Sequence, residues 1–415
     1  MKTVISTVVG TVLLLLPAWA GAQDTPDTRL QDLERRVEQL EAAQDGLPLH
    51  DFQMTGYMSS TYVLPEEGHS TFMTGFNPLF LYKAGDRFLF EAELEMGFEG
   101  EATELELEYA QLNYMVADNA SIGTGKFLLP FGIFGERGHP AWINKLPTAP
   151  LIYGGHGGFA GAIIPVLKDF GAQVRGSFHT GGLGWNYAVY VVNGPRAAGG
   201  GGHDEEEGGH GGPEFVVNFG STPSDENQNK AAGLRLGFLP SRALEVGLSY
   251  YTGEMTYHRL TDVGQAPGEE QATNPVTMTM LDVTTQVAGL DIRAEYLRQD
   301  TSQLKDYSPE VMVDETSGLI MEARETPESS TGYYVQAAYR FPNLPPELVV
   351  RYGAVSQKHE EGEEEVGSQT ALGVNWWLEP SLVLKVAGIA NSLKDHETEK
   401  TETTTDYYVQ LAFGF

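Results

Sequence analysis

Cysteine is absent from the 415-residue chain, which removes disulfide frameworks, thiol nucleophiles and Cys-ligated zinc or iron–sulfur centres together. Basic residues are scarce: 26 Lys+Arg against 57 Asp+Glu give a formal charge of −31 and a pI near 4.6. So acidic a chain lacks the basic face that phosphate backbones require, and nucleic acid is excluded as a partner. Beyond residue 22 no apolar run reaches the ~18 residues of a membrane-spanning helix. Catalytic signatures are missing as well, with no GxSxG, HExxH or GxxxxGKS/T motif. The expectation is a protein that is not an enzyme and carries no cofactor. What abounds is glycine (49), with 19 tyrosines and 19 phenylalanines, in a chain of mean hydropathy −0.25. That mean suits a soluble protein. It equally suits a transmembrane β-barrel, in which only alternate strand residues meet lipid.

Residues 1–22 read as an export signal: Lys2, then the apolar stretch Val4 to Leu16, then the small-residue site Ala20-Gly21-Ala22. The segment 23–47 changes character. Leu30, Leu33, Val37 and Leu40 follow coiled-coil spacing, and Gly46-Leu47-Pro48 stops the helix. An isolated helix of this length is marginal in water, so it requires a partner. The other reading is a solvated amphipathic linker.

From residue 48 to 415 the dominant period is two. In 87–98, Phe88, Phe90, Ala92, Leu94, Met96 and Phe98 point one way, and Glu91, Glu93 and Glu95 the other. The C-terminal segment repeats the pattern with Tyr407, Val409, Leu411, Phe413 and Phe415. About sixteen such segments predict an all-β, transmembrane antiparallel β-barrel, preceded by the short coiled-coil helix. Short turns such as Lys83-Ala84-Gly85-Asp86 and Glu379-Pro380 alternate with long connections. Every long connection then falls on the external side. One segment breaks phase: Leu105, Leu107 and Tyr109 share a face, whereas Leu112 and Tyr114 have the opposite parity. A bulge near Tyr109-Ala110 restores it, or part of the strand packs against a neighbouring protomer.

Alternation nominates a pore lining. Glu91, Glu93, Glu95, Glu104, Glu106 and Glu108 form an acidic wall. Arg175, Arg235, Arg293, Arg340, Arg351 and Lys385 lie among apolar neighbours on later strands, as an opposing basic wall. These charges are either solvated tuners of conductance or, for Arg175, Arg235, Arg293 and Arg351, an anion ladder. The connection 128–169 is long yet apolar, with Phe131, Phe134 and Trp142, which predicts a loop folded inward as a constriction. It would bring Arg137, His139 and Lys145 near the passage; the competing role is a trimer-contact loop. Acidic, histidine-containing external loops include His203 and His210, either metal ligands or a solvated surface offset by divalent cations at lipopolysaccharide.

Three stretches together carry a family resemblance: LQDLERRVEQLE, the run GKFLLPFGIFGERGHPAWINKL at 125–146, and the ending YYVQLAFGF. They resemble Gram-negative outer-membrane porins of the phosphate-selective porin O/P type, including relatives with an N-terminal coiled coil. The resemblance implies a sixteen-stranded homotrimeric barrel embedded in outer-membrane lipid and lipopolysaccharide. It also implies recognition by the outer-membrane assembly machinery through the terminal Phe415. The function so implied is passive diffusion of small hydrophilic solutes or ions through a water-filled pore. The alternatives are a channel selective for oxyanions such as phosphate or for metal ions, and a closed structural or adhesive barrel.

Overall fold

The computed structural model describes residues 52–394 and 401–415 apart from 67, 100–101, 155–161, 198–216, 220–222, 224–228, 259–270, 302–311, 314–319, 322–327, 343 and 359–363. The expected export signal 1–22, the coiled-coil segment 23–47 and the candidate ligands His203 and His210 lie outside the described residues.

Sixteen antiparallel strands close into one barrel. In chain order they are β1 Phe52–Leu64, β2 Thr71–Ala84, β3 Phe88–Glu99, β4 Ala102–Ala117, β5 Ala120–Leu128, β6 Lys168–Thr180, β7 Leu183–Val192 and β8 Ala231–Ser241. The remainder are β9 Leu244–His258, β10 Gln271–Val287, β11 Leu290–Asp300, β12 Ser329–Arg340, β13 Pro346–Lys358, β14 Glu364–Glu379, β15 Leu382–Lys394 and β16 Thr401–Gly414. Each expected segment coincides with one strand. Several strands run further than their apolar signature, β10 most clearly, because pairing continues where the outward face turns polar. Two small ribbons, Arg196–Ala197 with Val217–Asn218 and Met312–Val313 with Ile320–Met321, lie within the β7–β8 and β11–β12 connections.

Period two fixes which side chain meets which solvent. Along β8 the residues Ala231, Gly233, Arg235 and Gly237 are buried, while Leu234 and Leu236 are exposed. The same outward apolar set recurs as Val189 and Val191 on β7, Val350 and Tyr352 on β13, and Leu411 and Phe413 on β16. Such an exterior is stable only against lipid. Glycines inside the barrel make room for bulky neighbours: a Cβ on Gly233 would fall 2.1 Å from the Tyr190 ring. Outward aromatics gather at the end where β1 begins and β16 finishes. Phe88 packs on Tyr114 at 4.7 Å between ring centroids, and Trp185 on Phe238 at 4.6 Å, forming an interfacial girdle.

Turns at that end are tight throughout. Gly181 and Gly182 both have positive φ, 58° and 81°, as a two-residue hairpin of the primed type requires. The opposite end carries the long connections, although 65–70, 100–101, 359–363 and 395–400 there are short, between two and six residues. The alternation of loop length is therefore true by side but not at every loop. Closure joins β1 to β16 from Tyr57–Gly414 to Leu64–Tyr407, and Gly56 and Phe415 exchange backbone hydrogen bonds at 3.0 Å. The Phe415 ring stacks on Phe76 at 5.8 Å. The phase break in β4 is a bulge: Glu93 pairs with Tyr109 and Leu94 with Leu107, so Glu108 is the extra residue.

Candidate permeation pathway

A barrel of this size leaves its lumen to be filled or to conduct. Here the described residues of the β5–β6 connection, 129–154 and 162–167, fold into it. Its apolar residues explain why. Phe131, Phe134, Leu151, Ile152, Tyr153, Ile163 and Ile164 are buried in one cluster with the inward residues Tyr251, Met278, Met280, Leu297, Tyr334 and Val355 of β9–β13. A second cluster seats Leu146 against Val349, Ala371 and Ala387. The loop is therefore fastened to the β8–β15 wall, not suspended across the mouth.

Polar anchors complete the seat. Glu295 accepts hydrogen bonds from the Ile133 and Phe134 amides and from the Tyr153 hydroxyl, the last at 2.9 Å. These amides open the single π-type turn Phe134–Gly138, which directs His139 toward the lumen. Arg351, fully buried, donates to the Thr148 carbonyl at 2.9 Å and to the Thr148 hydroxyl and Ala149 carbonyl at 2.8 Å. Lys385 donates to the carbonyls of Ala141 and Asn144 and to Gln410. Lys145 reaches Glu347 at 2.8 Å, and Arg137 reaches Glu245 at 3.0 Å.

These contacts revise the opposing basic wall. Arg351 and Lys385 point inward, but the loop covers them and, with Gln369 and Gln410 of the wall, takes up most of their donors; the Arg351 Nε is enclosed without a partner. Arg235 is buried against Asp282 at 2.7 Å, Arg293 bonds Asp291 at 3.1 Å, and Arg340 lies 5.2 Å over the Trp377 ring. None of these five borders a described cavity; of the expected basic set only Arg175 does, and it is paired with Glu136 of the loop. The physical reason is desolvation: where the loop packs on the wall, a guanidinium beneath it must be paired. Lys145 and Arg137 likewise bond the wall, whereas His139 and Trp142 face open space.

Open space remains along β1–β6 and β16. One cavity of about 540 Å³, toward the turn end, is bordered by Glu91, Glu93, Glu136, Arg175 and Trp142. A second of about 420 Å³, toward the loop end, is bordered by Glu95, Glu104, Glu106, Glu108 and Lys168. Tyr57 and His139 border both, so these two side chains stand between the cavities, where β1 faces the loop. All six expected glutamates thus lie on one wall of the open space. His139 holds its Nδ1–H on the Gly135 carbonyl at 2.6 Å, while its Nε2 is enclosed without a partner. Burial lowers the imidazole below its usual range, so it stays neutral at neutral pH.

Sequence reasoning missed several lining residues. Lys126 reaches Glu106 at 3.1 Å, and Lys168 reaches Glu106 at 2.7 Å and Glu108 at 2.5 Å, tempering the acidic wall. Tyr109 reads as an outward aromatic beside Leu105 and Leu107, yet it is buried inside because the bulge reverses its side, and Tyr57, also buried, lines the same space. Gln111 and Asn113 both hydrogen-bond Glu91.

No protein-family model matches the chain, and no curated protein does. Among solved structures it is similar to Salmonella typhi OmpF in complex with daunomycin, with a TM-score of 0.52 and 13% identity over 88% of this chain and 97% of that one. It is also similar to the anion-selective porin from Comamonas acidovorans, with a TM-score of 0.51 and 11% identity over 88% and 99%. A third is in-vitro folded OmpT of Vibrio cholerae in its trimer form, with a TM-score of 0.51 and 10% identity over 88% and 99%. At such identities the likeness concerns the fold. A closed barrel with an apolar outer band and an aromatic girdle has its place in the cell outer membrane, and the fold of this chain is the sixteen-stranded barrel of the outer-membrane porins.

Proposed function

We propose that the protein is a porin in which small hydrophilic solutes and ions diffuse passively along the acidic wall of β3 and β4, past the inward β5–β6 loop. The observation that carries this reading is the pair of cavities stacked along β1–β6 and β16 with Tyr57 and His139 between them, bordered by glutamates on one side and by the loop on the other. Six carboxylates against Lys126, Lys168 and Arg175 leave the passage negative, so it favours cations. The arginine ladder finds no support, because Arg235, Arg293 and Arg351 are each taken up by partners. The protomer count in this reading is three, supported by the trimer form named for the Vibrio cholerae neighbour. The finer resemblance of 125–146 to the O/P type, the coiled coil of 23–47 and recognition of Phe415 by the assembly machinery belong to the same reading. Liposome swelling tests it. Vesicles bearing the protein should swell in small sugars and amino-acid salts at rates that fall with solute size. Vesicles that remain osmotically tight would assign the barrel a closed, structural role.

A further inference from the structure

We propose that the cavity at the turn end is a binding site for a guanidinium-bearing solute, framed by Glu93 of β3, by Glu136 and His139 of the inward loop, and by the Trp142 ring. Such a site gives the passage along β3 and β4 a preferred solute, and so rests on that reading of the lumen. All four residues border the same space of about 540 Å³. Three acceptor atoms there are enclosed and lack a donor: Oε1 of Glu93, Oε2 of Glu136 and Nε2 of His139. Each side chain is held by its other polar atom. The Tyr57 and Tyr109 hydroxyls bond Glu93, and Arg175 pairs with Oε1 of Glu136. His139 donates its Nδ1–H to the Gly135 carbonyl at 2.6 Å. Because that carbonyl can only accept, the neutral ring presents a lone pair at Nε2.

Enclosed acceptors without donors are costly, and a polar cavity can meet that cost with water alone. Charge and spacing favour an organic cation instead. The carboxylates of Glu91, Glu93 and Glu136 border the space against the guanidinium of Arg175, so it attracts positive charge. Glu91 takes the Gln111 and Asn113 amides on its Oε1, at 3.2 and 2.6 Å, and lies in electrostatic range of Glu136 on the loop. The three open acceptors are too widely spaced for one metal ion. Among the described residues only Glu95, Glu106 and Glu108 bring His or carboxylate ligand atoms within 4.8 Å of one another. Acceptors so spaced require donors spread over several atoms, which the planar guanidinium fork supplies and a point-like ammonium does not.

Trp142 supplies a flat face for that group. Its indole lies along β16 at Gly414, where a Cβ would stand 3.0 Å from the ring, so glycine lets the two approach. A guanidinium stacks on such a ring through both its charge and its plane. Wall and loop contribute from different sides, and the site is complete only with the loop seated. Glu136 belongs to the turn Phe134–Gly138, whose entry Glu295 holds through the Ile133 and Phe134 amides. Conduction needs a compromise, with binding strong enough to draw the cation in and weak enough to release it.

Two readouts separate the site from the pore. In the first, potassium current through the full-length protein in a planar bilayer is titrated with ethylguanidinium chloride and, in parallel, with propylammonium chloride of similar size and equal charge. Ethylguanidinium should reduce the current at the lower concentration. Glu93→Gln and Trp142→Ala should each raise its half-blocking concentration about tenfold, through a lost charge-assisted bond and a lost cation–π contact. In the second, saturation-transfer NMR follows ethylguanidinium on the detergent-solubilised protein, which needs no conduction. Transfer is expected with the wild type and should fall in both variants. Heat-modifiable gel mobility confirms that each variant barrel is closed. Trp142 lies on the loop, outside the strand ladder, so Trp142→Ala still tests the site should Glu93→Gln fail to close. Equal block by the two cations, or no transfer to the wild type, would overturn the site. Block and transfer that ignore both substitutions would do the same and leave a cavity that holds only water. A silent bilayer with transfer still lost in the variants would sink the pore and leave the site standing.

Discussion

Replacing Glu295 tests how the loop is held. Its carboxylate is fully buried and takes three donors, the amides of Ile133 and Phe134 and the Tyr153 hydroxyl. In Glu295→Leu the side chain still fills space but accepts nothing, and three buried donors are stranded at about 1–3 kcal/mol each. Even the lower end, about 3 kcal/mol, shifts the ratio of seated to released loop by about a hundredfold or more. Glu295→Gln differs in kind. Its carbonyl oxygen still accepts from both amides, and the Tyr153 hydroxyl can turn to accept from the new NH2, so about 1 kcal/mol is expected. Single-channel recording separates the two. The wild type and Glu295→Gln should conduct quietly at one level, whereas Glu295→Leu should show open-channel noise and a larger mean conductance. Barrel closure through β1 and β16 does not involve Glu295, so folded gel mobility should be unchanged. A Glu295→Leu channel as quiet and as narrow as the wild type would refute the anchoring role.

His139 and Ala288 give two further predictions. Burial holds the His139 imidazole below its usual value of about 6.5, so the neutral form's contribution to stability is present above about 6.5 and lost as pH falls through the lowered folded value. Protonation adds positive charge between the cavities, beside Lys168 and Glu108. The potassium-to-chloride permeability ratio should therefore fall as pH drops below about 6.5 through that lowered value, and His139→Gln should remove this contribution. A fall that persists undiminished in His139→Gln would assign it elsewhere. Ala288 occupies the left-handed region with φ 49° in the β10–β11 turn, a cost of about 1 kcal/mol for a residue with a Cβ. Ala288→Gly should raise the urea unfolding free energy by about 0.5–1 kcal/mol, and Gly181→Ala should lower it. Equal midpoints for Ala288→Gly and wild type would show that the turn carries no strain.

The barrel was legible because lipid imposes a strict period of two on each strand, as in Phe88 to Phe98. Even the β4 irregularity could be read from a parity change, one residue from the extra Glu108. The site was legible in half. Glutamates on β3 and β4 border open space because the apolar clusters of the loop lie against the other wall. Arg351 and Arg175 carry the same local signature, a cation between outward residues, yet one is sealed under the loop and the other borders the passage. That difference is set by where the β5–β6 loop lies, which no strand encodes by itself. A trace of it exists in the sequence. Val276, Met278, Met280 and Leu297 place apolar side chains on the inward parity, where an aqueous pore would want polar ones. Inward apolar residues on β9–β13 were the mark of a wall that the loop covers.

The reversal potential across a KCl gradient tests the acidic passage most directly, measured on the full-length protein in a planar bilayer at neutral pH. A potential of the sign that favours potassium, reduced by combined Glu91→Gln and Glu95→Gln substitution, is the predicted result. A chloride-favouring potential, or one indifferent to those substitutions, would contradict conduction along the wall of β3 and β4.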